Sequence, residues 1–326
     1  MVPLTWREPY SLSCDRTVMF AAIPFPIRPR RVCFDWRRTP VHWIPGEPTA
    51  THVVNALHLL LPPGERWFID VFREALPQVT EPGLRAAMKG FMGQEATHSV
   101  QHANVLDHLA THGLDAQPFV DRLDRVFAGP LGRRPPGGRK ILRPEWLRIR
   151  LAVIAAIEHY TAVLGNWILD ADDFDKAGAD PAMLDLLRWH GAEEVEHRAV
   201  AYDVFRCLGG RGPLRYARRL VGFAIATGLL LWFWFQGAAY LMHTDPQNPG
   251  GKYLLTDHNR AVRKGLLPSW RLLGTAVPRY LRPHYHPDHE GPVEPALAYL
   301  AARRDDRIRS VSPVPRRTGP EPEPGG

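Results

Sequence analysis

The chain has 326 residues, longer than a typical single domain, although one helical domain with appended segments accounts for that length as well as two domains would. Its 45% apolar content supports a substantial core and excludes wholesale disorder. The 41 basic against 34 acidic residues leave a net charge of +7, but the arginines are scattered or lie in Pro-rich loops such as GRRPPGGRK at 132–140, without aromatic interleaving, which argues against nucleic acid as a partner.

Cys14, Cys33 and Cys207 are far apart and form no CxxC, which points to a reducing, cytoplasmic compartment and against thiolate metal ligands. The first 31 residues lack the basic start and uninterrupted apolar stretch of a secretory signal. Residues 1–49, rich in Pro and Trp with short β-like runs such as Arg31 to Trp36, are expected to wrap a helical body as irregular structure.

Helix signals begin at Thr51. An apolar segment from Val53 to Leu61 meets Pro62-Pro63-Gly64, so a fresh helix is expected from Glu65 to about Leu76, with Glu65 in its first turn. The second helix, about 81–112, has Thr80 as its N-cap candidate, Pro82 in its first turn and Gly113 past its end. The third runs from Pro144 to about Asp170, and the fourth, about 181–208, starts at Asp180-Pro181 and stops at Gly209-Gly210. The expected fold is all-α: a ferritin-like four-helix bundle over 50–210 with a long helix 2 to helix 3 crossover. A strongly apolar helix over 211–243, a helical and loop extension over 244–302 and a disordered tail over 303–326 follow.

Apolar residues on a half-buried helix recur at spacings of three and four, and polar residues on that stripe stand out. The second helix reads Leu84, Met88, Phe91, Glu95, His98, His102, Val105, Leu109. The fourth reads Met183, Leu187, His190, Glu194, His197, Ala201, Val204, Leu208, with its Glu-x-x-His at the same phase. The third carries Glu158 among Leu147, Leu151, Ile154 and Ala162, and the first carries Glu65 beside Phe68 and Phe72. Four buried carboxylates repel one another unless protonated or bound to cations. A Glu-x-x-His pair places both side chains on one face, within reach of one ion. The candidate ligands are therefore Glu65, Glu95, His98, Glu158, Glu194 and His197, holding two divalent ions, iron first, with manganese or zinc also compatible; the bland alternative is a set of buried salt bridges with arginine.

Around these, His102 and His190 are each a further ligand, an acid or base, or a hydrogen-bonded core histidine. His159 and Tyr160 flank Glu158 as candidate supporting or acid/base groups, or as ordinary packing, and Glu193 is a candidate base. His284, His286 and His289, in RPHYHPDHE, read as loop histidines. The run from Leu220 to Met242 carries no charge and is long enough to span a bilayer. Arg215, Arg218 and Arg219 before it fit cytoplasmic anchoring. The expectation is a membrane-embedded or membrane-apposed helix, or a buried fifth helix.

GERWFI at 64–69, GQEATHS at 93–99, IEHYTA at 157–162 and EEVEHRAVAYDV at 193–204 resemble a bacterial family labelled predicted metal-dependent hydrolase, over roughly Trp43 to Met242. The ligand pattern is similar to the wider ferritin-like di-iron carboxylate superfamily, and that resemblance implies the same six ligands. Two functions follow. The ligand types favour an oxygen-activating di-iron oxidoreductase acting on a small, largely apolar substrate, with an electron-donor protein as partner. The alternative, which the resembled family's name implies, is a hydrolase using a metal-bridged water, with His102, His159 or Glu193 as acid or base.

Overall fold

The computed structural model describes residues 25–310, so the expectations for the first 24 residues and for 311–326 lie outside the described residues. No strand occurs among the described residues, and residues 31–36 are irregular. The helices are α1 (Pro48–Ala75), α2 (Pro82–Thr111), α3 (Gln117–Ala128), α4 (Arg143–Leu169), α5 (Asp173–Lys176), α6 (Pro181–His197), α7 (Val200–Leu208), α8 (Gly212–Thr244), α9 (Leu255–Arg263), α10 (Trp270–Tyr280) and α11 (Glu294–Ser310). The fold is all-α. α1 packs along α2, and α4 along α6 and α7, while α8 lies across α1 and α4.

The main departure from the sequence reading is in α1, which runs unbroken through Pro62 and Pro63. Each proline removes a backbone donor and crowds the preceding turn, costing about 3 kcal/mol in an isolated helix. Here the helix is held from outside. Val53 and Leu59 before the prolines and Trp67, Val71 and Phe72 after them are buried, and the Ser99 hydroxyl donates to the Pro62 carbonyl at 3.1 Å. Tertiary packing overrides the local signal, and Glu65 sits in mid-helix rather than in a first turn.

Other boundaries differ less. Glu81, not Thr80, caps α2, accepting from the N–H groups of Gly83 and Leu84. Asp180 caps α6 through Ala182 and Met183. The crossover contains α3, which buries Phe119, Val120 and Leu123. The expected fourth helix is divided at Arg198 and Ala199 into α6 and α7. α11 continues to Ser310, past the point where a tail was expected, and is anchored by Tyr299 and Arg303 on Asp185 at 2.6 and 2.7 Å.

Close helix crossings rest on glycine. A Cβ on Gly165 of α4 would lie 2.4 Å from the Gly191 carbonyl oxygen of α6, and one on Gly222 of α8 would lie 2.5 Å from Ala152 Cβ. Gly165→Ala should cost about 1–3 kcal/mol of overpacking against less than about 1 kcal/mol of helix propensity gained. A melting temperature at or above that of the wild type would contradict the crossing geometry.

Two helical segments, Lys140–Leu169 and Gly212–Thr244, are long and apolar enough to cross a membrane, and the first is mostly buried. α8 buries Phe223, Ala226, Phe233 and Leu241 but exposes Leu231, Trp232 and Phe235. It is therefore packed on one face and open on the other. Its far end is stapled to the start of α1, because His42 and His52 both meet Asp245 Oδ2, at 2.5 and 3.0 Å.

The C-terminal segment docks through RPHYHPDHE. Tyr202 Oη donates to the Tyr285 carbonyl at 2.7 Å, and His286 lies 3.2 Å from both Asp203 and Asp288. Burial disfavours the His286 cation, but the two carboxylates outweigh it and raise its pKa to about 9. A raised histidine stabilises the fold fully below its unfolded pKa near 6.5 and loses that contribution as pH rises through 9. The stability gap between wild type and His286→Gln should therefore be widest near pH 6 and shrink by up to about 3 kcal/mol by pH 10, less as far as solvent screens the partly exposed ring. Denaturant titrations at both pH values check this, and a pH-independent gap would contradict it.

Candidate metal centre

The polar stripes of α1, α2, α4 and α6 converge. Glu65, Glu95, Glu158 and Glu194 are each at most 4% exposed, and His98 and His197 are fully buried. Ligand atoms of Glu65, Glu95 and His98 lie within 4.8 Å of one another, and so do those of Glu95, Glu158 and His197. Glu194 joins the two groups, with Oε1 3.4 Å from His98 Nδ1 and Oε2 3.4 Å from His197 Nε2. His197 Nε2 also lies 3.3 Å from Glu95 and 3.1 Å from Glu158. Glu95 and Glu194 thus stand between the imidazoles, with Glu65 and Glu158 on the flanks.

Most of the buried oxygens of this cluster are not hydrogen-bonded. Both oxygens of Glu65 and of Glu158, Glu95 Oε1, Glu194 Oε2, His98 Nδ1 and His197 Nε2 lack a partner. Leaving a buried polar atom unpaired costs about 1–3 kcal/mol, so eight such atoms facing one small volume need a ligand. Donors held about 2.1 Å from a common ion stand roughly 3 Å apart, which the observed spacings match. Four carboxylates also balance two divalent cations. The residues present fit a pair of metal ions.

Electrostatics agree with that fit. Burial pushes the Glu65 and Glu95 carboxyls well above their ordinary range, with the neighbouring glutamates adding to it. Burial likewise raises Glu158 to about 7. Burial opposes the His98 and His197 cations too, yet the carboxylates beside them hold both well up. Without cations the cluster must keep protons that metal ions would displace.

The imidazoles are held from behind in a reciprocal way. The residue before each stripe glutamate serves the histidine of the other helix. His98 Nε2 donates to Glu193 at 2.8 Å, and His197 Nδ1 donates to Gln94 Oε1 at 3.0 Å. Gln94 Nε2 in turn donates to Glu196 at 2.7 Å. Both acids then meet one guanidinium: Arg30 donates to Glu193 at 2.8 Å and to Glu196 at 2.6 and 2.7 Å. The segment carrying Arg30 reaches this position because α2 presents glycine to it. A Cβ on Gly90 would lie 2.2 Å from the Ile27 carbonyl oxygen, and one on Gly93 would lie 3.0 Å from Pro29. Glu193 is therefore an orienting group and not a free base.

Of the remaining candidates, His102 and His190 belong to a buried chain. His190 Nε2 lies 2.7 Å from Glu194 Oε1, His102 Nε2 lies 2.6 Å from His190 Nδ1, and His58 Nδ1 lies 2.6 Å from His102 Nδ1. Burial lowers all three, His58 to about 3. His159 points away from the cluster, with Nδ1 2.7 Å from Tyr285 Oη and Nε2 3.0 Å from the Ala276 carbonyl. That geometry removes it as an acid or base here. Adjacent residues on a helix point about 100° apart, so the neighbour of Glu158 faces α10. Tyr160 lines the cavity above the cluster, its hydroxyl 3.0 Å from Thr227. His286 is occupied by Asp203 and Asp288, and its ring stands 6.3 Å from that of His289, so the RPHYHPDHE histidines form no ligand trio.

Arg30, Gln94, Glu196 and His58 were not singled out from sequence. Gln94 had a signal, since it precedes Glu95 as Glu193 precedes Glu194. Arg30 had none, being distant in the chain from everything it holds.

Above the cluster is a cavity of about 480 Å³. Glu65, Glu95, Glu158 and Glu194 form its polar floor. Its walls are aliphatic and aromatic, including Leu61, Phe68, Phe127, Ile157, Leu164 and Phe233. Leu231, Phe235 and Trp270, all partly exposed, also line it.

Among known families, the one described as predicted metal-dependent hydrolase matches the chain over residues 28–291. No curated protein and no solved structure matches it.

Proposed function

The chain belongs to the predicted metal-dependent hydrolase family, and from that premise we propose that it hydrolyses an ester or amide of a largely aliphatic acid at a two-metal carboxylate centre. The observation that carries this reading is the apolar 480 Å³ cavity floored by four buried carboxylates, six of whose oxygens have no hydrogen-bond partner. Divalent ions in such a donor set polarise a carbonyl oxygen and make water acidic enough to attack near neutral pH.

The chain's own groups do the rest. Glu65, Glu95, His98, Glu158, Glu194 and His197 would hold the two ions, with Arg30, Gln94, Glu193 and Glu196 fixing the imidazoles. The aliphatic walls take the acyl chain out of water and orient it toward the floor. His190 Nε2 lies 3.9 Å from Glu65 Oε1 as well as 2.7 Å from Glu194 Oε1, where it can hold a proton at the edge of the cluster. The exposed Leu231, Trp232, Phe235 and Trp270 near the cavity support substrate entry from a lipid surface.

The test is hydrolysis of p-nitrophenyl acyl esters by protein loaded separately with zinc, manganese or iron. Specificity should rise from acetyl to octanoyl and vanish after chelation. No metal-dependent turnover of any ester or of the matching anilides would end the hydrolase reading. A second reading, oxygen-dependent oxidation of the same apolar substrate class with an electron-donor protein, is favoured by the donor set of four carboxylates and two imidazoles without a thiolate. Iron-loaded protein that consumes oxygen and changes its absorption would move the assignment there.

A further inference from the structure

We propose that the recess at the start of α8, which shares no lining residue with the cavity above the carboxylate cluster, binds a phosphate monoester. It is a cavity of about 570 Å³ walled by Tyr202, Arg206, Arg215, Tyr216, Arg219 and His284. Three guanidiniums from α7 and α8 enter one hollow, and the RPHYHPDHE segment closes its side.

The charges there are under-compensated. Arg206 reaches Asp203 only at 3.4 Å, and Arg215 touches the Gly210 carbonyl at 3.5 Å. Among the described residues no carboxylate lies within ion-pair distance of Arg215 or Arg219. Arg219 is 3% exposed. It donates to Tyr202 Oη at 2.7 Å and to the Arg282 carbonyl, while its Nε–H has no partner. Its guanidinium lies 4.9, 5.5 and 5.8 Å from the centres of the Tyr216, Tyr280 and Tyr285 rings, contacts that offset part of the cost of burying a cation but supply no counter-charge. A desolvated guanidinium with an unpartnered Nε–H, at the wall of a cavity, leaves a positive potential there that suits an anion.

The helix adds to this. α8 begins at Gly212 and Pro213 without a side-chain cap, so the first-turn N–H groups and the positive end of a 33-residue helix open at the same place. Several fork-shaped donors together with a helix end favour the multiple acceptor oxygens and double charge of a phosphate monoester over a single carboxylate. The volume exceeds that of phosphate alone. Tyr202, Phe205 and Tyr216 on the walls would take the ring or chain attached to it.

The experiment is calorimetric titration of the metal-loaded full chain with phenyl phosphate and with inorganic phosphate, beside Arg206→Gln, Arg215→Gln and the double variant. Both arginines are partly exposed, and unchanged metal content and melting temperature in the variants would show that they fold. Each single change should weaken phenyl phosphate binding about tenfold, and the double variant should abolish it. Co-sedimentation with phosphatidylcholine vesicles, with and without phosphatidic acid, separates the two sources of the same chemistry. Retention that requires phosphatidic acid and is lost in the double variant assigns the recess to a lipid headgroup, while phenyl phosphate binding without such retention assigns it to a soluble ligand. No binding of either kind, or binding unchanged in the double variant, would overturn the proposal.

Discussion

Glu65→Met should lower the bound metal to about one ion per chain or less and, in the metal-free protein, raise stability by about 1–3 kcal/mol. The opposite signs follow from one observation. Both Glu65 oxygens are buried and unpartnered, so in the absence of cations the side chain is a cost that a methionine of similar length removes. With cations the same oxygens become ligands and their loss is felt. A carboxylate serving in a buried salt bridge would behave differently, because removing it would strand an arginine and destabilise the chain. Stripped protein compared by denaturant titration, together with metal analysis of the loaded protein, reads both signs. A destabilised metal-free variant with full metal content would show that Glu65 is structural.

Arg30→Met should be the most damaging single change outside the cluster. Glu193 and Glu196 are fully or nearly fully buried, and Arg30 is the cation that compensates both. Breaking a buried pair from one side costs about 3–5 kcal/mol. Because the guanidinium is about one third exposed, the lower end of that range applies. Metal affinity should fall as well, by about 10- to 100-fold, since the groups orienting His98 and His197 lose their anchor. Arg30→Lys keeps the charge but not the fork, and should recover stability more than affinity. Equal affinity in wild type and Arg30→Met would detach this network from the cluster.

Much of this arrangement was legible in the sequence because burial forces periodicity. Glu95, His98, Glu194 and His197 lie on stripes that are otherwise apolar, and a side chain on such a stripe must point inward. The fold class followed from the same periodicity. What was misread has local causes. Pro62-Pro63 is a strong breaker by its own chemistry, and only the packing of α1 on its neighbours, absent from any local window, carries the helix through. His159 was grouped with Glu158 by adjacency in the chain, whereas adjacency on a helix separates directions. Arg30 was illegible because its role depends on an irregular segment crossing two glycines of α2, a contact between distant parts of the chain that leaves no pattern in either one.

The α8 surface was legible in part. The uncharged run from Leu220 to Met242 announced an unusually apolar helix, and the structure shows it packed on α1 and α4 while leaving Leu231, Trp232 and Phe235 exposed. Neither a fully buried helix nor an unpacked span describes it. The open face adjoins the cavity, which connects the apolar composition to the substrate class proposed above.

A two-metal site on these six residues is tested by elemental analysis of anaerobically purified protein, alongside Glu65→Met and Glu194→Ala purified in the same way. About two divalent ions per wild-type chain are expected, with a clear loss in both variants. No bound metal in the wild type after loading, or full metal content in both variants, would contradict it.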